Sequence, residues 1–335
     1  NYNRRKIMAV PTNTSTTYSA VGIREDLSNV IYNIAPMDTP FFSGCGRGTA
    51  DSTKFEWQTD TIASGTANQV AEGNDPTSDA RANPTRLNNY TQISVYSIQT
   101  SGTNEAVDYA GRKSSQAYQL AKKAKQLKRD IEFMLTNNIA KVQGDATTPR
   151  KSAGLSTWLK TGWVSMNPTS GSPAAPAGTG ADTPTNATAT ASITEAGMRD
   201  VIKTVYEAGG DPDVILCKPS IKQAISALAT QPATASVSVP MRTKADGSSP
   251  AHVISAVDVY VSDFGTFKIV SDRNQFQERD VFFLDFDYWS VSYLRPFRTE
   301  MLAKTGDSIK QMLICEYGLE AKNEASSGFL ADVKA

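Results

Sequence analysis

The sequence predicts an α+β fold, because helical and strand-forming patterns are segregated along its 335 residues rather than alternating. Three features carry that expectation. Residues 113–142 form one very long amphipathic segment, the last third is rich in strand patterns, and two strands near positions 55 and 95 are joined by a bridge almost devoid of large apolar side chains. A chain of this length holds one large or two medium domains, each with its own core.

The first element is a short amphipathic helix in "TYSAVGIREDLSNVIYNIAPMDTP", with Ile23, Leu27, Val30, Ile31 and Ile34 at helical spacing and Pro36 ending it. Its flanks are rich in Thr, Ser and Asn, so it has too little apolar surface to fold alone and is expected to dock on another body. "GCGRG" at 44–48 reads as a hinge. The strands "KFEWQTDT" and "YTQISVYSIQ" follow, alternating apolar and polar side chains, and residues 62–89 between them are mostly Ala, Ser, Gly, Asn, Asp and Pro. Such a long bridge is uncommon inside a compact domain, and an extended hairpin arm leaving the body is the reading it supports.

The longest helix is expected from Lys113 to Val142, where Leu120, Ala124, Leu127, Ile131, Leu135, Ile139 and Val142 recur at three- and four-residue steps and Gly144 closes the run. At 1.5 Å per residue it is roughly 45 Å long. Its other face carries Lys122, Lys123, Lys125, Lys128 and Arg129; a solvated face is the simpler reading and contact with DNA the alternative. The Pro/Gly/Ala/Thr tract at 165–192 lacks the apolar surface to order itself and reads as a surface loop that marks a boundary. Beyond it come a helix at 194–208, a buried strand "DVILC" at 213–217 and a Pro-initiated helix at 218–229. The remainder alternates as strands, with "DFGT" turning between two of them. Leu313, Cys315, Tyr317, Leu319 and Ala321 share one face, while Glu316 and Glu320 occupy the other.

No enzymatic constellation emerges. "LAKTGDS" at 302–308 imitates the Asp-Lys-Thr-Gly loop of phosphorylated ATPases, but Ala303 stands where the nucleophilic carboxylate belongs. It lies between two strands, so a turn is expected, with Gly306 at positive φ. Asp263-Phe264-Gly265 lacks the other kinase motifs, there is no Gly-Lys-Ser/Thr phosphate loop, and "GCGRG" opens a strand rather than a helix. The chain has one histidine, His252, and three widely spaced cysteines without C-x-x-C spacing, so neither a metal site nor a disulfide framework is indicated. Its charge is balanced, 34 basic against 34 acidic residues, which argues against a polyanion-coating protein. No apolar run approaches a signal-peptide core or a membrane span, and a soluble product of a reducing intracellular compartment is expected, with no cofactor.

The segments "TYSAVGIREDLSNVIYNIAPMDTPFFS" at 17–43 and "LRPFRTEMLAKTGDSIKQMLICEYGLEAKNEA" at 294–325 resemble the first and last blocks of a major capsid protein family of tailed bacteriophages, and "VYVSDFGTFKIVSDRNQFQERDVFFLDFDYWSVSYLRPF" is also similar. The resemblance covers most of the chain except 165–192. It implies the Hong Kong 97 fold: an N-terminal arm (1–45), an E-loop hairpin (46–102), a peripheral domain with the spine helix (103–164), the low-complexity loop (165–192), an axial domain (193–285) and C-terminal peripheral strands (286–335). It further implies a structural, non-enzymatic subunit that assembles with copies of itself as hexamers and pentamers into an icosahedral or elongated head. That head encloses double-stranded DNA, held non-specifically, with portal and scaffolding proteins, and in some cases a decoration protein, as partners and no membrane. The destination is the virion capsid, built in the cytoplasm of the host bacterium. Ile23, Leu27 and Ile31 on the arm, and Lys304 and Asp307 on the turn, are the expected inter-subunit contacts. Some shells of this fold are stapled by an E-loop lysine joined to a neighbour's asparagine; this sequence has no lysine between Lys54 and Lys113, which implies a shell without that staple. On the residues alone, a nucleotide-using enzyme and a surface-layer subunit stay open as alternatives.

Overall fold

The computed structural model describes residues 38–62, 65–75, 83–228, 243–244, 252–253 and 257–334. The expected arm helix, with Ile23, Leu27 and Ile31, lies outside the described residues.

The described chain begins with one helical turn, α1 (Pro40–Gly44), which Pro40 starts and which buries Phe41 and Phe42. It leads into β1 (Gly46–Thr49). The expected hairpin is present, but its partner strands differ from the sequence reading. β2 (Lys54–Thr59) pairs antiparallel with β3 (Thr85–Tyr90), Trp57 facing Leu87, whereas "YTQISVYSIQ" is a separate strand, β4 (Gln92–Ser101). The segment "TRLNNY" escapes a period-two pattern because Asn89 is buried by hydrogen bonding rather than by apolarity. Its amide donates to Leu319 O at 2.6 Å and Ser152 Oγ at 3.0 Å, and its carbonyl accepts from the Ala153 and Tyr90 amides.

A short α2 (Gly102–Ala106) precedes the long helix α3 (Ser115–Leu135), whose first turn is capped by the Ser114 side chain accepting from the Ala117 amide. The helix has 21 residues, about 30 Å, and stops at Leu135 rather than at Val142. Thr136, Asn137 and Asn138 are poor helix formers, and the Thr136 hydroxyl bonds back to Glu132 O at 3.0 Å. The chain then turns so that the Gly154 amide reaches Ile139 O at 2.9 Å and Val142 bridges Lys151. Ile139 and Val142 therefore sit at helical spacing on non-helical backbone, and Gly144 (φ +78°) serves that irregular hairpin, not a helix end.

Of the remaining elements, the helices after residue 193 and the longer strands lie where the sequence reading places them, and several short strands had no counterpart in it. The full set is β5 (Gly162–Ser165), β6 (Ala191–Ser192), α4 (Glu195–Glu207), β7 (Val214–Cys217), α5 (Pro219–Leu228), β8 (Thr243–Lys244), β9 (His252–Val253), β10 (Val259–Ser262), β11 (Gly265–Ser271), β12 (Val281–Leu284), β13 (Trp289–Met301), β14 (Ser308–Ala321), β15 (Gly328–Ala331) and β16 (Val333–Lys334). Two main sheets organise them. A four-stranded sheet has the order β1-β13-β14-β4, and a six-stranded one the order β10-β11-β7-β12-β15-β5. Strand β5 crosses position 164 and β15 comes from the range 286–335, yet both hydrogen-bond into the sheet of β7, β11 and β12, so the boundaries at 164 and 285 do not coincide with an edge between sheets.

The central strands β7, β12 and β15 of the six-stranded sheet are buried on both faces, which is why "VFFL" reads as a continuous apolar run. Leu216, Phe282, Leu284 and Phe329 join the core shared with α1, α3, Trp158 and the four-stranded sheet, while Ile215, Cys217, Val281, Phe283 and Leu330 pack under α4 and α5. The tract at 165–192, expected to be an unanchored loop, lies against this body with Pro176, Gly178, Gly180, Pro184 and Ala187 buried. Hydrogen bonds substitute for the apolar surface it lacks: Lys141 donates its amide to Gly180 O at 2.7 Å and its Nζ to Thr179 O at 2.8 Å, and the Ala187 amide reaches Asp332 Oδ1 at 2.8 Å.

Candidate assembly surfaces

The residues that imitate phosphate chemistry prove to be turns and close approaches. Leu302–Asp307 connects β13 to β14, Gly306 has φ +96°, and Lys304 Nζ stands 3.9 Å from Asp307 Oδ1 with both side chains mostly exposed. The sequence-predicted pair is thus brought together at the surface. The Gly102 amide donates to Asp307 O at 3.1 Å and ties the turn to the end of β4. In "GCGRG", a Cβ on Gly44 would lie 2.7 Å from the Phe286 ring and one on Gly48 2.6 Å from Ser292 Oγ, so these glycines let β1 press onto β13. Asp263 and Phe264 form the turn between β10 and β11. Among the described residues no group of three or more metal-binding side chains converges, and no helix is long and apolar enough to cross a membrane.

What the structure offers instead is surface without a covering partner and buried charge that braces it. Beyond β2 the arm leaves the body: Asp60 to Asp75 is exposed wherever it is described, with Ile62 wholly bare and Val70 at 73 %. Its base is fixed by Trp57 packing on Trp158 at 5.3 Å between ring centroids. Along α3, Lys122, Lys125 and Lys128 point to solvent, while Lys123 sits 4.5 Å over the Tyr96 ring.

Glu316, expected on the face of β14 opposite Cys315 and Tyr317, is buried beneath a layer of partners that sequence spacing does not reveal. Arg150 Nη2 is 2.6 Å and Arg295 Nε 2.7 Å from its carboxylate, and the Thr91 hydroxyl donates at 2.8 Å. Burial pushes its pKa up, but the Thr91 and Arg295 hydrogen bonds and the two guanidinium charges outweigh that and hold it below the ordinary glutamate value.

A second buried carboxylate lies beneath α1. Glu132, on the last turns of α3, accepts the Phe41 amide at 2.8 Å on Oε1 and the Phe42 amide at 2.6 Å on Oε2, meeting two of the unpaired N–H groups of α1. Burial, and then the charge of Asp272, push its carboxyl up to about 8. Asp272 follows β11; its Oδ1 accepts the Asn274 amide at 2.7 Å, while its Oδ2 has no partner outside the Glu132 contact. The three cysteines are free and buried. Burial raises the Cys217 and Cys315 thiols to about 12 and the Cys45 thiol well above its usual value.

Comparison with known proteins gives a consistent picture. The family described as SU10 major capsid protein matches residues 10–334. The major capsid protein of Escherichia phage Phieco32 is 29 % identical over 353 residues, covering 96 % of this chain and 97 % of that protein. The capsid asymmetric unit of cyanophage A-1(L) superposes with a TM-score of 0.64 at 14 % identity, covering 96 % of this chain and all of the other. The capsid of a native GTA particle gives 0.60 at 11 % identity over 95 % and 98 % of the two chains. Phage G major capsid proteins, solved together with decoration proteins, give 0.54 at 11 % identity, covering 98 % and 100 %.

Proposed function

The chain belongs to the SU10 major capsid protein family and is a structural subunit of a phage capsid shell with the Hong Kong 97-like fold, and from that premise we propose how it builds the shell. Copies assemble as hexamers and pentamers into a closed icosahedral or elongated head around double-stranded DNA. Residues 1–45 act as the N-terminal arm, 46–102 as the E-loop, 103–164 and 286–335 as the peripheral domain and 193–285 as the axial domain. Portal and scaffolding proteins direct closure in the host cytoplasm, DNA is held without sequence preference, and a decoration protein of the kind solved with the phage G capsid is a further possible partner.

The observation that carries this reading is the arm beyond β2. An exposed chain of Ala, Gly, Thr and Asn bearing Ile62 and Val70 gains nothing by projecting from a monomer, since its apolar side chains stay in water. On a neighbouring subunit the same side chains are buried. Ile23, Leu27 and Ile31 are proposed to do likewise, and Lys304 and Asp307 to contact an adjoining capsomer. The test is electron microscopy of the full chain and of a chain lacking residues 1–34. The parent is expected to give closed shells of uniform curvature. The deletion is expected to give soluble, cooperatively melting protein without regular shells, and normal shells from it would overturn the role of the arm. Boiling mature particles in detergent should release monomers, because no lysine lies between Lys54 at the base of the E-loop and Lys113, so the outer part of the loop has no amine for a covalent staple; a ladder of oligomers mapped to residues 55–112 would refute that part.

A further inference from the structure

The carboxyl pair Glu132–Asp272 sits where three parts of the chain meet: α1, the C-terminal turns of α3, and the segment 272–276 that leaves the six-stranded sheet after β11. Glu132 and Asp272 are both fully shielded from solvent. Two other contacts join the same parts. Asn274 Nδ2 donates to Asp38 O at 2.6 Å, and Phe133 meets Phe276 edge-on with centroids 5.0 Å apart. Both rings remain partly exposed, so this is a thin seam at the surface rather than a packed core.

The hydrogen-bond inventory around the pair is unusual. All four carboxyl oxygens are acceptors, and among the described residues three have a donor from elsewhere: the Phe41, Phe42 and Asn274 amides. The fourth, Asp272 Oδ2, can be satisfied inside the seam only by a proton carried on its neighbour. Two ionised carboxylates in contact, shielded from water, repel strongly, and the standard resolution is one shared proton. Among the described residues no cationic side chain forms an ion pair with either carboxyl. The groups facing the pair are the Cys45 thiol beside Glu132, and Lys218 and the Asp38 carboxylate around Asp272; Lys218 is directed to Glu278 at 3.9 Å.

We propose that Glu132 and Asp272 form a proton-operated latch, which fastens segment 272–276 to the long helix and arm root while one proton is shared and releases it when that proton is lost. The part that moves is the 272–276 segment. An ionised Glu132 keeps, and strengthens, its bonds to the Phe41 and Phe42 amides, so the helix stays with the arm root while Asp272 is expelled toward solvent. The direction with pH follows from the raised Glu132 pKa. The latch is fully closed below the ordinary glutamate range and weakens as pH rises toward about 8. This inference stands on the subunit's own geometry and does not depend on how shells assemble.

Asp272→Asn tests it, because an asparagine keeps Oδ1 for the Asn274 amide and places an N–H donor where Oδ2 had none. Hydrogen exchange of the full chain is measured from about pH 5 to about pH 9, corrected for the intrinsic pH dependence of exchange. In the parent, protection of residues 272–278 is expected to fall at least about tenfold across that range, the equivalent of one pKa unit, while that of β13 and β14 stays level. In Asp272→Asn, protection of 272–278 is expected to be independent of pH. Asp280, another buried acid near this segment, has its carboxyl pushed up to about 8, by burial first and then by Asp332. Should the loss of protection persist in Asp272→Asn, Asp280 or another group is responsible and the latch is wrong. Constant protection in the parent overturns the proposal whether or not the variant folds.

Discussion

At the scale of single residues, the positions that looked chemical are conformational, and the one that looked like ordinary surface is an anchor. Gly306 has φ +96° and open space around it, so Gly306→Val costs only the backbone penalty, about 1–2 kcal/mol. Lys304→Ala and Asp307→Ala should each change stability by less than about 0.5 kcal/mol, since the pair is exposed at 3.9 Å. Denaturant midpoints of the three variants check both statements, and a loss above 1 kcal/mol in either alanine variant would show that the ion pair stabilises the subunit. Glu316→Ala is expected to cost about 3 kcal/mol, because it strands two arginines and a buried hydroxyl. Its contribution in the parent has a definite sign with pH. Glu316 has a lowered folded pKa, so the stabilisation is present above the usual glutamate range and is lost as pH falls through the lower folded value. A parent as stable in acid as at neutrality, with Glu316→Ala equally stable, would remove the anchor. The residue-level chemistry was illegible in sequence for a simple reason: Glu316 alternates outward as a surface glutamate would, and the groups that cover it, Thr91 and Arg150, lie far away along the chain.

At the scale of elements, strong periodicity was readable and hydrogen-bonded burial was not. α4, β7, α5 and the turns before β11 and β14 appear where their patterns place them. The end of α3 was overrun because Ile139 and Val142 keep helical spacing by coincidence, while the backbone there serves the approach of Gly154. β3 was overlooked because one of its two buried side chains, Asn89 beside Leu87, is an asparagine. The tract at 165–192 was taken for an unanchored loop because its composition hides how it is held. Gly180 exposes that design: it has φ +70°, and a Cβ there would lie 2.6 Å from the Trp158 indole. Gly180→Ala is therefore expected to cost more than about 1 kcal/mol and to make residues 165–192 the first site of limited proteolysis. Cleavage patterns matching the parent would show that the tract is held by other contacts alone.

At the scale of the whole molecule, the α+β class and an exposed excursion of the chain after "KFEWQTDT" were legible in order and spacing, while the strand that closes the hairpin was not. The sharing of one sheet between both hydrophobic cores was not, since β5 and β15 are short strands whose partners are decided by the tertiary fold. The same architecture has a practical consequence through its cysteines. Cys45, Cys217 and Cys315 all lie in those cores, with thiols that burial keeps protonated at neutral pH and out of reach of electrophiles. A maleimide should therefore leave the native chain unlabelled and modify all three cysteines once it is denatured. Mass spectrometry before and after denaturation decides this, and rapid native labelling would mean that the cores open far more often than their packing suggests. Should the thiols prove silent, Ala208→Cys, exposed at the end of α4 and away from the projecting arm, would be the sole reactive handle on each copy. A dye, a peptide or a gold particle could then be displayed in a regular array without removing any native cysteine.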